Sequence, residues 1–198
     1  ITRLAGKALA LVAALASALK FHGSFSLQIK GDGPVSMLVA DCTDTGALRF
    51  YVRTDEDALN ALLAETPKPT DRELLGNGYL ALTIDQGAET ERHQGIVDIA
   101  GDDLSSMATH YFATSEQHAC WLYLTCQLTD AGWRAGGLVL ERIAGEGGTH
   151  VVGAETDDAS WETATILAST LSAREVLDDT LAPSDLLYRL FHEEGLHV

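Results

Sequence analysis

Residues 25–40, FSLQIKGDGPVSMLVA, constrain the fold more than any other stretch. Phe25, Leu27 and Ile29 alternate with Ser26, Gln28 and Lys30, the two-residue period of a strand with one buried face. Gly31-Asp32-Gly33-Pro34 ends that strand, because glycine permits positive φ and proline fixes φ and lacks an N–H. An apolar second strand resumes at Val35. A dinucleotide loop needs a third glycine and a helix after the turn. Ser36 stands at the third-glycine position and a strand follows, so the turn is a connector and not a phosphate cradle.

A chain of 198 residues suggests one or two domains. At that length roughly 70% of the unfolded surface can be buried. A formal charge of −16 repels phosphate backbones and anionic membranes, and excludes nucleic acid and membrane surfaces as partners. It also favours solubility. Cys42, Cys120 and Cys126 are too few for a disulfide-stapled fold. Cys120 and Cys126 share the alternating run 119–128. Six strand residues separate them by about 20 Å, whereas a disulfide needs Cα atoms within about 7 Å. With no CxxC spacing, all three read as buried structural thiols.

The apolar run Ala8 to Leu19 follows Arg3 and Lys7, and Ala16-Ser17-Ala18 imitates a leader cleavage site. The preferred reading is an amphipathic helix with Leu4, Leu11, Leu15 and Leu19 near one face. The run is too short to span a bilayer. A chain that opens at Ile1 reads as an internal fragment.

Strands are expected near 24–30, 35–41 and 47–53. A helix over 55–65, capped by Thr54 or Asp55, turns Leu59, Leu62 and Leu63 inward. Residues 66–70 form a loop, 79–85 and 93–99 pair as strands across a turn at 87–91, and Asp102 caps a helix to about Glu116 with Leu104, Met107, Ala108, Tyr111 and Phe112 as its apolar stripe. Strands 119–128 and 133–142 pair across 130–132. The stretch 145–158 is glycine-rich and acidic and reads as a linker. Helices are expected over 159–172, with Trp161, Ala164, Leu167 and Leu171 on one face, then near 173–180 and 184–194. The fold class is α+β: a mixed-sheet core domain with packed helices over 1–143, an acidic loop over 144–157, and a helical linker region over 158–198.

Catalytic constellations are not visible in the sequence. His192 and His197 stand five apart, about 140° around a helix, so they miss the i, i+4 spacing of a zinc-binding HExxH. Ser115 has neither a nucleophile elbow nor a placed base and acid. His22, His93, His110 and His150 are scattered. One alternative stays open: a small-molecule enzyme using the Gly31–Pro34 and Gly76–Gly78 turns, with Gly136–Gly137, as a pocket rim.

Six motifs in order resemble the redox-regulated chaperone family called heat shock protein 33. They are LKFHGSFSLQIKGDGP (19–34), LLGNGYLALTID (74–85), HQGIVDIAGDDL (93–104), YFATSEQ (111–117), AGGLVLER (135–142) and LLYRLFHEE (186–194). The resemblance covers nearly the whole chain. It implies a bacterial, cytoplasmic, ATP-independent holdase, commonly a homodimer, that binds unfolded or partly folded proteins and is not an enzyme. It further implies an α/β core, a helical linker and a small C-terminal zinc domain whose CxC and CxxC cysteines bind zinc when reduced and form disulfides when oxidised. The chain stops at Val198, where that domain is expected to begin, and none of Cys42, Cys120 or Cys126 matches a zinc-ligand position. Zinc is therefore expected only in a domain beyond this chain, with no metal or catalytic residue within it. Glu141 stands where the family often has Gln.

A holdase needs apolar surface that can be hidden and exposed. The candidates for client binding are Trp161, Leu167, Leu171, Val176, Leu177, Leu186, Leu187, Tyr188, Leu190 and Phe191. Short helices are marginally stable, so residues 157–194 are expected to form a metastable flap resting on the body.

Overall fold

The computed structural model describes residues 1–18, 22–86, 92–142 and 154–195. The expected turn at 87–91, residue Leu19, most of the acidic stretch, His150 and His197 lie outside them. Two compact units emerge, Ile1–Val139 and Leu140–Val198.

The alternation read at residues 25–40 becomes the centre of a five-stranded antiparallel sheet. Its strands are β1 (Ser24–Gly31), β2 (Val35–Thr43), β3 (Leu48–Thr54), β4 (Gly78–Asp85) and β5 (His93–Asp98), in the order β3-β2-β1-β4-β5. Opposed residues share a face, so the register builds three rows across one side of the sheet. Val52, Leu38, Ile29, Leu80 and Val97 form the first; Phe50, Ala40, Leu27, Leu82 and Gly95 the second; Leu48, Cys42, Phe25, Ile84 and His93 the third. On β1 and β2 every member of these rows is buried.

Helices α1 (Thr2–Ala18) and α4 (Leu104–Tyr111) form the layer that meets this side. Both helices also pack on β6 (Cys120–Thr129), which pairs with β7 (Gly132–Glu141) in a separate two-stranded sheet. Leu4, Ala5, Ala8, Leu11, Val12, Leu15 and Ala16 give α1 a wide buried stripe. The helix reading of this run is the observed one. Gly6 costs helix propensity but permits close contact: a Cβ there would lie 2.3 Å from Cys126 Sγ.

The sequence places other elements less well. Asp55 caps α2 (Glu56–Glu65) through its side chain, yet Leu63 is 40% exposed while Leu59 and Leu62 pack against the core. The five-residue helix α3 (Asp71–Leu75) follows the expected loop at 66–70 and was not assigned from the sequence; the capping box of Thr70 and Glu73 nucleates it. Asp103, and not Asp102, caps α4: its Oδ1 accepts from the Ser106 N–H at 2.8 Å, while the Asp102 carbonyl accepts from the Arg72 N–H at 3.1 Å. The stripe Leu104, Met107, Ala108, Tyr111 and Phe112 is buried as expected. The last expected turn of α4 widens into a π turn, Phe112–Glu116, ended by Gln117 at φ 56°. Asp71 ties three helices together. It is buried, pairs with Lys7 of α1 and accepts from the Leu104 N–H of α4 at 2.9 Å. Burial of a carboxylate is tolerated when it is paired and hydrogen-bonded in this way.

Gly6→Ala should cost about 1–3 kcal/mol by overpacking against Cys126. Cys126→Ala in the same chain should recover most of that loss, read as a non-additive pair in urea unfolding.

Candidate functional site

The second unit holds α5 (Ala154–Ser169), α6 (Ala173–Val176) and α7 (Pro183–Phe191), followed by a 3-10 turn at His192–Glu194. Helix α5 opens at Ala154, so the end of the expected acidic loop is helical. Its C-terminus is closed by the Leu171 N–H, which donates to the Ala168 carbonyl at 3.0 Å. The Ser172–Glu175 capping box starts α6. Pro183 at the first position of α7 loses nothing by lacking an N–H.

One arginine links these short pieces. Arg189 Nε on α7 lies 2.7 Å from Glu175 Oε1, and its Nη1 donates to Thr170 Oγ1 at 3.4 Å. The ends of α5, α6 and α7 are thus clamped from the solvent side. Glu175 is held below the ordinary carboxylate range, first by the Ser172 hydroxyl and then by the Ser172 N–H, with Arg189 adding to this.

The sequence candidates separate by exposure. Leu171, Leu190 and Phe191 are buried, while Trp161, Leu167, Val176, Leu177, Leu186 and Leu187 are half-buried. Tyr188 is 64% exposed and stacks on His192, with ring centroids 5.0 Å apart. Ile166 of α5, absent from the sequence candidates, is 59% exposed. It lies off the face defined by Trp161, Ala164, Leu167 and Leu171, so a search for the buried stripe passes over it. The core unit also exposes large apolar side chains, Phe50, Tyr51, Ile96, Leu128 and Trp133 among them.

The glycine turns at 31–34 and 76–78 named in the enzyme alternative pack closely together. They lock onto each other: the Gly33 N–H donates to the Leu75 carbonyl at 3.0 Å, and Asp32 Oδ1 accepts from the Asn77 N–H at 2.6 Å. A Cβ on Gly76 would lie 2.2 Å from Asp32 Oδ1. Gly137 faces the Tyr123 carbonyl in the hairpin in the same close manner. A cavity of about 670 Å³ in the core unit is lined elsewhere, by residues including Arg3, Lys7, Pro69 and Trp133.

The structure does bring together Tyr111, Ser115, Glu116 and His93. Tyr111 donates to Glu116 Oε1 at 2.7 Å, and His93 Nε2 lies 3.6 Å from the same oxygen. Burial, then the bond to Glu116, pushes the Tyr111 hydroxyl well above its ordinary range. A proton so firmly held suits a brace. A Cβ on Gly95 would lie 2.2 Å from the Tyr111 hydroxyl and 2.3 Å from Ser115 Oγ, so this cluster presses the π turn onto β5.

Cys42 lies on β2 and Cys120 and Cys126 on β6, and all three are buried. Burial pushes the Cys42 and Cys126 thiols up. Among the described residues no group of three or more His, Cys, Asp or Glu is placed to hold a metal ion. A zinc site does not fit these cysteines. No described helix is long and apolar enough to cross a membrane.

A five-stranded antiparallel core layered with helices, followed by a 16-residue helix and two shorter ones, defines an α+β protein. The sequence matches the family described as "Hsp33 protein" over residues 1–198. It is 38% identical to the 33 kDa chaperonin of Caulobacter vibrioides over 202 residues, covering 100% of this chain and 65% of that protein. It is 35% identical to the 33 kDa chaperonin of Pseudomonas fluorescens over 200 residues, covering 61% of that protein. The fold resembles the crystal structure of the 33 kDa chaperonin (heat shock protein 33 homolog) of Thermotoga maritima, with a TM-score of 0.72 and 20% identity over 96% of this chain and 62% of that one. The chain belongs to the Hsp33 family, and it spans less than two-thirds of the length of these relatives.

Ionised Glu175 stabilises α6. That contribution is complete above the ordinary Glu value of about 4.3 and is lost as pH falls through its depressed value. Ser172→Ala should raise the Glu175 midpoint towards the ordinary value and weaken the cap by about 1 kcal/mol. A carboxyl-detected NMR titration of both chains reads the shift.

Proposed function

We propose that this chain carries the client-binding region of an ATP-independent holdase. The clients are unfolded or partly folded proteins, held by apolar surface until they can refold. The observation that carries this reading is the makeup of the second unit. Exposed Ile166 on the 16-residue α5 and exposed Tyr188 on the nine-residue α7 accompany buried Leu171, Leu190 and Phe191, and a solvent-facing arginine clamp joins the ends of the helices. Exposed ion pairs contribute about 0–1 kcal/mol, so the clamp is a weak latch. Short helices with such latches open far below the free energy of global unfolding. Opening would offer Trp161, Leu167, Leu177, Leu186, Leu187, Leu190 and Phe191 to a client. The relatives named 33 kDa chaperonin support the same reading.

The net charge of −16 keeps such complexes soluble. On this reading the protein performs no catalysis, works in the cytoplasm and pairs with a second copy of itself. Any redox switch in the whole protein uses cysteines other than Cys42, Cys120 and Cys126. A bound zinc there would hold its thiolates together while reduced. The residues of this chain supply the apolar surface and the latch.

The purified chain should suppress light scattering from a thermally unfolding protein without nucleotide, and Ile166→Ser with Tyr188→Ser should weaken suppression. Absence of suppression at every chain concentration, in this chain and in the oxidised full-length protein, contradicts the reading. Arg189→Ala should raise the population of the open form by up to about fivefold. Apolar-dye fluorescence and client suppression should rise together.

A further inference from the structure

The chain contains two asparagines, Asn60 and Asn77. Asn60 lies inside α2 and is followed by Ala61. Asn77 is exposed at the joint between α3 and β4 and is followed by Gly78. Asparagine loses its amide most readily before glycine, because no Cβ shields the next chain nitrogen from the amide carbon. The fold requires that glycine: a Cβ at Gly78 would lie 1.9 Å from the Lys30 carbonyl oxygen.

The fold also uses Asn77 at both ends of its amide. Oδ1 accepts from Arg72 Nη2 at 2.6 Å, and Nδ2 donates to Asp32 Oδ2 at 3.4 Å. The main chain is held as well. The Asn77 N–H donates to Asp32 Oδ1 at 2.6 Å, and the Asn77 carbonyl accepts from the Asp32 N–H at 2.9 Å. Arg72 extends the network, since its Nη1 donates to the Ile99 carbonyl at 2.5 Å. Asn77 thus joins the turn between β1 and β2 to α3 and, through Arg72, to the chain just after β5.

We propose that Asn77 is a site of spontaneous deamidation, that its bonds to Arg72 and Asp32 hold the reaction back in the folded chain, and that the product unlocks the two turns. The Gly78 nitrogen gives up its proton to solvent and attacks Asn77 Cγ. The new N–Cγ bond closes a succinimide ring as the Cγ–Nδ2 bond breaks, and ammonia leaves with a proton from water. Water then opens the ring. Cleavage at Cγ gives aspartate, and cleavage at the main-chain carbonyl carbon gives isoaspartate. The net change is amide plus water to carboxylate plus ammonium, with nothing oxidised or reduced.

The attack makes the planar amide carbon tetrahedral and draws it onto the chain. A side chain tied at both ends resists that movement, so the folded-state rate follows opening of the lock. Either product damages the lock. Aspartate cannot donate to Asp32, and two carboxylates then face each other where a donor met an acceptor. Isoaspartate also adds a carbon to the main chain, which disturbs the register of Gly78 with Gly31.

Peptide mass spectrometry of the full chain, incubated folded and in denaturant, tests this, with enzymatic methylation to count isoaspartate. The folded chain should react at Asn77 and not at Asn60, about tenfold more slowly than the unfolded chain. In variants whose circular dichroism matches the wild type, Arg72→Ala should speed the folded-state reaction about tenfold, the loss of one charge-assisted hydrogen bond. Asp32→Ala should speed it too. Asn77→Asp, which makes one product directly, should lower the folding equilibrium constant about two- to fivefold, and Asp32→Asn in the same chain should recover most of that. Equal rates in the folded and unfolded chain, or a slower reaction in Arg72→Ala, overturn the gating. Faster loss at Asn60 than at Asn77 overturns the site. An Asn77→Asp chain as stable as the wild type overturns the unlocking. None of these readouts involves a client, so the aggregation assay tests the holdase reading separately.

Discussion

The inner face of the five-stranded sheet is apolar across its width, and helix α1 packs on β1, β2 and β3. Leu27, Ile29, Leu38 and Leu80 at the centre are fully buried. Burying each contributes about 1.5–3 kcal/mol, which makes the central rows the main store of stability in the core unit. At β3 the same rows run on to Phe50 and Leu48, where much of the surface meets water. Among the described residues the edge therefore combines backbone without a second strand partner with half-exposed apolar side chains. This is an unusual juxtaposition in a chain with so large a negative charge.

The second unit is built on a different principle. From residue 154 on its described elements are helices, and the helix ends are held by a capping box at Ser172, a proline start at Pro183 and the Arg189 bridge to Glu175 and Thr170. Such contacts contribute on the order of 1 kcal/mol each, against several for a buried leucine row. The contrast suggests a division of labour between a rigid core and a region that opens readily. A binding surface drawn from the low-stability end of a protein can be hidden at rest and presented on demand.

Much of this fold is legible in the sequence because period-2 alternation is strong in 24–54, 79–85 and 119–142. The partners of Phe25, Leu27 and Ile29 follow once the strands are found. The helix stripe of Leu104, Met107, Ala108, Tyr111 and Phe112 is equally plain. Other features depend on tertiary context. Nothing in the local pattern separates Leu63, which is exposed, from Leu62, which packs on the core. Asp102 and Asp103 are equivalent as letters, and only the bond from Arg72 to the Asp102 carbonyl leaves Asp103 to cap. The Thr70-x-x-Glu73 signature was readable, but a five-residue helix is too short to show a period. Phe50 looks like a core residue by alternation, and the sheet order alone reveals it at an edge. In the second unit the amphipathic stripes gave the buried candidates, while Ile166 escaped because exposed apolar residues follow no period.

The central claim is that the short helices of the second unit open without the core unfolding. Native-state hydrogen exchange, followed by mass spectrometry with peptides spanning 154–195 and 24–54, tests it most directly. The account predicts that amides of 154–195 exchange through openings that barely depend on denaturant and slow when an unfolding client is bound, while amides of β1 and β2 exchange only with global unfolding. If 154–195 exchanges only with the whole chain, with the same denaturant dependence as β1 and with no change on adding client, the claim is contradicted.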